Sequence, residues 1–276
     1  MTRGVVLFAH NNGEIDYIKL AKFSAKRIKQ FLDLPVSLIT DKKTKVSGLK
    51  KIFDKIIFTD TDIESRKYFY DGIDQSKILS WKNGSRSSVY ELTPYDETLV
   101  LDADYLISSD TLLSCWNRTE DFLIYCDSYD LSGWRDDSAF RSVSEYSIPF
   151  YWATVFWFRK SPQVEIFFNI IDHIKSNWNY YKILYQIHST NFRNDHAFSI
   201  ALHTINGFTQ GDFAGHLPGK MFYVYDLDFL EKLNNDQLLF LVQKENSSSD
   251  YIFVKTHGLD VHVMNKYSLL RIADNV

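Results

Sequence analysis

The sequence predicts an α/β fold in which a mixed, mainly parallel central sheet is flanked by helices. Three features carry that expectation. The first sixty residues alternate apolar strand-like runs with one amphipathic helical stretch, as βα units do. Later runs such as Leu99-Val100-Leu101, Phe122–Tyr125 and Tyr151–Phe158 are apolar throughout, the pattern of strands covered on both faces. Finally, the run YDETLVLDADYLI at 95–107 ends a buried strand on two carboxylates. Ligands of open parallel sheets bind at such strand ends.

Val5–Ala9 reads as the first strand and His10–Gly13 as a turn. A helix follows, with Ile18, Ala21, Ala25, Ile28 and Leu32 at three- and four-residue spacing. Val36–Thr40 and Lys55–Phe58 read as the next two strands, with the polar Glu64–Lys67 after them as a solvated loop. A mixed stretch, Gln75–Leu92, places Lys82 and Arg86 four apart, on one face if it is helical. Asp127–Tyr146 lacks periodicity and reads as a long loop over the site, long enough to be functional. Ser161-Pro162 starts an amphipathic helix, with Ser as cap and Pro at the first position. Asn194-Asp195 opens another, ended by Gly207, where Asp195 serves either as a helix-start carboxylate or in function. The last seventy residues read as a turn (Gly215–Gly219), a strand (Met221–Tyr225), a helix carrying Phe229, Leu230, Leu233 and Leu238, a polar loop (Glu245–Asp250) and a final strand from Tyr251.

Composition narrows the function classes. Aromatic residues are 16% of the 276, which favours a packed core with aromatic-lined pockets over disorder. A net charge of −4 supplies no global basic field for nucleic acid. Cys115 and Cys126 suit buried free thiols, and no apolar run approaches the length of a membrane span, so a soluble cytoplasmic protein with no membrane partner is expected.

Three Asp-x-Asp triplets occur, at Asp60/Asp62, Asp102/Asp104 and Asp226/Asp228. The first runs into polar sequence. The third precedes the helical pattern, which gives Asp228 an N-capping role. Only Asp102/Asp104 has apolar residues on both sides. On an extended backbone, residues i and i+2 share a face, so both carboxylates reach one hard cation, Mn²⁺ or Mg²⁺. A bound cation also relieves their mutual repulsion. The alternative is a turn with Asp as a cap. Near the end of the chain, His262 and Lys266 lie four apart: imidazole can complete a Mn²⁺ shell and lysine can hold a phosphate.

The first strand, the segment Pro94-Tyr95-Asp96-Glu97-Thr98-Leu99-Val100-Leu101-Asp102-Ala103-Asp104, the Tyr151–Phe158 strand, Asn194-Asp195 and the terminal His-x-x-x-Lys together resemble a glycosyltransferase of the GT-A fold, nearest the glycogenin-like family 8. The chain is also similar to glycosyltransferase-like proteins of tailed bacteriophages, which would place it in the host cytoplasm. The resemblance implies a Rossmann-like single domain over 1–276, with a nucleotide-binding half (1–110), an acceptor half (111–215) and a C-terminal segment (216–276) closing the metal site. It implies that Asp102, Asp104 and His262 bind Mn²⁺, that Lys266 contacts the leaving diphosphate with Lys82 or Arg86 nearby, and that Ala103 lies in the same donor-binding motif. Ala9, Asn11 and Asn12 would hold uridine, with Tyr17 a base contact, and Asp195 would stand beside sugar or acceptor. The implied activity is transfer of a sugar from a UDP-sugar to an acceptor hydroxyl, with retention. The sequence leaves the acceptor open among a glycan, a hydroxymethylated base in phage DNA, a protein and a small molecule, and a basic face carrying Arg135 and Arg141 would support DNA. The rival readings are a non-catalytic nucleotide-sugar-binding module and a sugar-nucleotide pyrophosphorylase. The latter requires a Gly-rich loop where Ala9–Glu14 has one glycine.

Overall fold

Residues 1–45, 48–60, 64–82, 84–145, 147–189, 191–245 and 249–275 are described by the structure, a computed structural model. The chain begins with β1 (Arg3–Phe8), α1 (Tyr17–Leu32), β2 (Val36–Thr40) and β3 (Lys55–Phe58). A hairpin of β4 (Glu64–Tyr70) and β5 (Ser76–Lys82) follows, then the short α2 (Val89–Leu92), β6 (Glu97–Asp102) and β7 (Tyr105–Leu106). The middle of the chain supplies β8 (Phe122–Tyr125), β9 (Ser128–Asp130), β10 (Trp152–Arg159), α3 (Pro162–Ser176), α4 (Trp178–Leu184) and α5 (Asn194–Ile205). The remainder forms β11 (Gly215–His216), β12 (Met221–Val224), β13 (Phe229–Asn234), β14 (Gln237–Gln243), β15 (Tyr251–His257), β16 (Val261–Val263) and α6 (Lys266–Asp274).

Seven strands form the central sheet in the order β11-β8-β10-β6-β1-β2-β3. The pairs β1/β2, β1/β6, β2/β3 and β8/β11 are parallel, and β10 runs antiparallel between β6 and β8. This is the mixed, mainly parallel sheet expected. Its strands alternate between two cores, apart from a register shift in β10 between Trp152 and Phe156. Val5, Leu7, Leu99, Leu101, Val155 and Trp157 point to the α1 side, while Val6, Val100, Phe156 and Phe158 point to the side of α3 and α5. Both faces are therefore covered, which is why these strands carry no polar alternation. Ser161 caps α3 by accepting from the Val164 N–H, as the Ser-Pro start predicts. A second sheet, β7-β16-β12-β9, lies against the carboxyl ends of the first.

Several expectations are corrected. The expected helix from Phe229 to Leu238 is the hairpin β13/β14, extended by β15 into a three-stranded meander. Its leucines fit helical spacing, but Asn235 in the left-handed region (φ 53°) turns the chain back, and Leu238, Phe240 and Val242 are buried at period two. Asp228 therefore caps no helix. It is fully buried and accepts both guanidinium nitrogens of Arg135 at 2.8 Å, with the Tyr225 and Gln243 N–H groups at 2.8 and 2.9 Å. Arg135 also pairs with Asp130, so it stands inside the protein and not on a basic face; Arg141 is exposed and paired with Asp137. The stretch 127–146 is not one open loop, because β9 pairs with β12 within it; Tyr146 lies outside the described residues. Glu64–Lys67 is strand, not solvated loop, since Asp71-Gly72 at the tip allows β4 to fold back on β5. Asp62 and residues 246–248 of the Glu245–Asp250 loop also lie outside the described residues. Cys115 is buried and Cys126 half-buried, both as free thiols. No helix of the described residues is long and apolar enough to cross a membrane.

Candidate active site

Strand pairing assembles the site. Phe8 of β1 stands opposite Asp102, the last residue of β6, so both chains leave the central sheet at one level. The strand does not continue through Asp104. Ala103 and Asp104 form a turn, and Tyr105 then pairs with His262 on the antiparallel β7/β16 ladder. A Val263 N–H donated to the Asp104 carbonyl at 2.9 Å closes that junction. His262 is thereby carried to Asp104 from the far end of the sequence. Asn265 caps α6 by accepting from the Ser268 N–H and anchors to the Asp228 carbonyl through its own amide, each at 2.9 Å. Lys266 then begins the helix. A cation there opposes the macrodipole, and the position is explained by its partner: Lys266 Nζ lies 2.5 Å from Asp104 Oδ2.

Ligand atoms of Asp102, Asp104 and His262 fall within 4.8 Å of one another. Asp104 Oδ2 lies 3.4 Å from His262 Nε2. Burial would raise the Asp104 carboxyl, but the Lys266 and His262 charges and hydrogen bonds hold it well below the usual range. Asp102 pairs with Arg86, whose guanidinium also donates to the Ala153 carbonyl. Two carboxylates and an imidazole fit a hard divalent cation of the Mn²⁺ or Mg²⁺ type. The buried His262 Nδ1 has no hydrogen-bond partner among the described residues, so the Nε2 edge is the one turned to the carboxylates.

The cluster forms one wall of a cavity of about 370 Å³. Tyr17, Lys82, Arg86, Asp102, Ala103, Asp104, Asp195, His262 and Lys266 all line it. Burial and the Asp104 charge raise the Tyr17 phenol, consistent with a side chain facing that carboxylate. Lys82 and Arg86 do not share a helical face: one ends β5 and the other starts a 3-10 turn, and the cavity brings them together. Ala9, Asn11 and Asn12 stand beside the cavity and are not among its lining residues. Their polar groups are engaged elsewhere. The side-chain amide oxygens of Asn11 and Asn12 accept the Ile18 and Ile15 N–H groups of the β1–α1 turn at 3.1 and 2.9 Å, and Ala9 is bonded into the sheet end through Ile39 and Thr40.

Asp195 does lie in the first turn of α5, where the macrodipole favours a carboxylate, but its side chain caps no helix N–H. Its Oδ1 accepts the Ala153 N–H at 3.0 Å and its Oδ2 an Arg193 nitrogen at 2.9 Å. Burial raises this carboxyl, yet Arg193, His196 and Arg86 together hold it below its ordinary value. It is thus a fixed anion lining the same cavity, linked through Ala153 to the Arg86 that pairs with Asp102. Trp152, in the strand expected to shape the sugar pocket, packs edge-on against His262 with centroids 5.9 Å apart.

The β4/β5 hairpin, unread in the sequence, roofs the cavity with Lys67, Tyr68, Phe69, Tyr70 and Trp81. Asn12 bonds the Ser80 carbonyl at 2.9 Å on one side and Asn191 bonds the Arg66 carbonyl at 2.9 Å on the other. The aromatic run Tyr68-Phe69-Tyr70 ahead of Asp71-Gly72, with Ile78-Leu79 and Trp81 beyond it, was the available signal. Arg193 and Asp226 also line the cavity unanticipated. Asp226 belongs to a triplet assigned to a helix start, and burial pushes its carboxyl up against the pull of Lys266 and Lys67.

No family model and no curated protein matches the sequence. Solved structures similar to it include the glycosyltransferase GlyE of Streptococcus pneumoniae TIGR4 (TM-score 0.41, 14% identity, covering 79% of this chain and 45% of GlyE). Others are the galactosyltransferase LgtC in complex with donor and acceptor sugar analogs (0.43, 13%, 72% and 70%) and mouse xyloside xylosyltransferase 1 in its apo form (0.45, 10%, 79% and 85%). The chain thus spans less than half the length of GlyE.

Proposed function

We propose that this protein is a metal-dependent glycosyltransferase that moves a sugar from a UDP-sugar to an acceptor hydroxyl. The observation that carries the reading is the convergence of Asp102, Asp104 and His262 within 4.8 Å on a cavity that Lys82, Arg86 and Lys266 also line. The three ligands would hold Mn²⁺ or Mg²⁺, which when bound supplies Lewis-acid stabilisation of charge on departing UDP. Lys266 and Arg86 now neutralise Asp104 and Asp102, and on donor binding both cations are within reach of the diphosphate. Tyr17 contributes a wall at the nucleotide end. Asp195, pinned through both oxygens, orients the acceptor hydroxyl or stabilises cationic character on the sugar. Retention follows from the family resemblance. The chain divides into nucleotide (1–110), acceptor (111–215) and site-closing (216–276) parts. The burial of Arg135 takes it out of the basic face that was to support a DNA acceptor, and the reading assigns the acceptor only as a hydroxyl.

Calorimetric titration of UDP and UDP-sugars, with and without Mn²⁺, tests the reading on wild type and Asp102→Ala. Metal-dependent binding that the variant loses supports it. Absence of binding by every uridine nucleotide in the presence of Mn²⁺ would sink the donor class.

A further inference from the structure

Five cationic side chains line the cavity: Lys67, Lys82, Arg86, Arg193 and Lys266. Four are matched to carboxylates, Lys82 to Asp41 at 3.3 Å, Arg193 to Asp195 at 2.9 Å, Lys266 to Asp104 at 2.5 Å, and Arg86 to Asp102. Lys67 differs. Among the described residues no carboxylate lies within the 4.0 Å of an ion pair, and its ammonium rests on aromatic faces, 4.4 Å from the Trp81 ring centre and 5.0 Å from that of Phe69. Burial, with the Lys266 and Arg193 charges, draws this ammonium down to about 7, although Asp104 and Asp226 act the other way. The cavity therefore holds a lysine with no paired carboxylate among the described residues, one whose protonated form an incoming anion would stabilise.

Its neighbours locate it. Lys67 lines the cavity together with Asp104 and Lys266 of the metal cluster and with Arg193 and Asp195, so it faces the space that these side chains enclose. In the glycosyltransferase reading, on which this inference rests, that space receives the donor sugar. The diphosphate already has Lys266 and Arg86, and a neutral hexose would leave Lys67 unmatched. We propose that the transferred sugar carries a carboxylate, as in a hexuronic acid, and that Lys67 recognises it. A charge-assisted bond to a partly buried ammonium is about twice as strong as a neutral one and discriminates accordingly. The hairpin suits this role because it is tied down on both sides of the cavity, by Asn12 to Ser80 and by Asn191 to Arg66, so the cation is held in place before the sugar arrives.

The test is calorimetry in Mn²⁺ with UDP, UDP-glucose, UDP-galactose, UDP-glucuronic acid and UDP-galacturonic acid on wild type, Lys67→Met and Lys67→Arg. Wild type is expected to bind at least one uronic acid nucleotide about tenfold more tightly than its neutral counterpart. Lys67→Met should erase that preference while binding UDP as wild type does, which also shows that the variant is folded, and Lys67→Arg should keep it. The inference is overturned if neither uronic acid is preferred, if the preference survives in Lys67→Met, or if that variant loses UDP equally, since Lys67 would then serve the diphosphate. Failure of wild type to bind UDP at all removes the donor reading itself, and this inference with it.

Discussion

Lys266 Nζ lies 2.5 Å from Asp104 Oδ2, so one of the proposed metal ligands carries its own counter-ion in this structure. Lysine and metal compete for one oxygen, while lysine and phosphate attract. Lys266→Met should separate the two effects. Mn²⁺ alone is expected to bind the variant at least as tightly as wild type, and UDP with Mn²⁺ about tenfold more weakly. Separate titrations of metal and nucleotide measure both. A parallel loss of metal affinity would mean that Lys266 supports the carboxylate and does not shield it.

Arg135 joins Asp130 and Asp228 with none of its side chain exposed. Arg135→Met leaves two buried carboxylates without their cation, and removing one partner of a buried pair costs about 3–5 kcal/mol. Urea denaturation at neutral pH is the measurement. A loss under about 1 kcal/mol would show that the carboxylates find other partners.

His196 lies face to face with Trp178, centroids 6.2 Å apart, and burial together with the Arg193 charge draws its imidazole down to about 4. Unfolded, it titrates near 6.5, so as pH falls from 7 the unfolded chain takes up a proton that the native one refuses. The stability this group contributes is present above pH 6.5 and fades as pH drops toward 4, by about 2 kcal/mol between pH 7 and pH 5. His196→Phe should flatten that part of the stability profile. Denaturant titrations of both proteins across this range decide it, and parallel profiles would refute the assignment.

Gly72 turns the hairpin tip at φ 76°, and a Cβ there would sit 2.4 Å from the Phe229 ring. Gly72→Ala is expected to cost about 1–3 kcal/mol through the left-handed backbone and the clash. It should also weaken donor binding, because lifting the tip from the meander tilts Lys67 and Trp81 away from the cavity. Thermal unfolding and UDP-sugar calorimetry test the two halves; unchanged binding in a destabilised variant would show that the roof is indifferent to its tip.

How much of this was legible depended on periodicity. β1, β2, β6, β8 and β10 were readable because strands buried on both faces are largely apolar, the edge strand β3 through Ile56-Ile57 alone, and α3 because Ser161-Pro162 marks its start. The convergence of Asp102, Asp104 and His262 was readable by residue type, although the turn at Ala103–Asp104 was not. Spacing misled at Phe229–Leu238, where Leu230, Leu233 and Leu238 satisfy both a helix and a hairpin and only the Asn235-Asp236 tip decides. Lys67 and Arg135 look alike in the sequence, each a cation in a polar run. Tertiary partners alone put one under the roof of the cavity and the other in the core.

The β7/β16 pairing has a consequence for biosynthesis. Asp102 and Asp104 emerge from the ribosome in the first half of the chain, whereas His262 and Lys266 come almost last. Until β16 docks, the two carboxylates stand at the sheet edge with neither imidazole nor ammonium beside them. Such long-range closure is slow relative to local contacts, so the proposed metal site would be complete only when nearly all of the chain has folded. Mn²⁺ would then select finished molecules over partly folded ones, and its uptake during refolding would act as a clock for the last step of assembly.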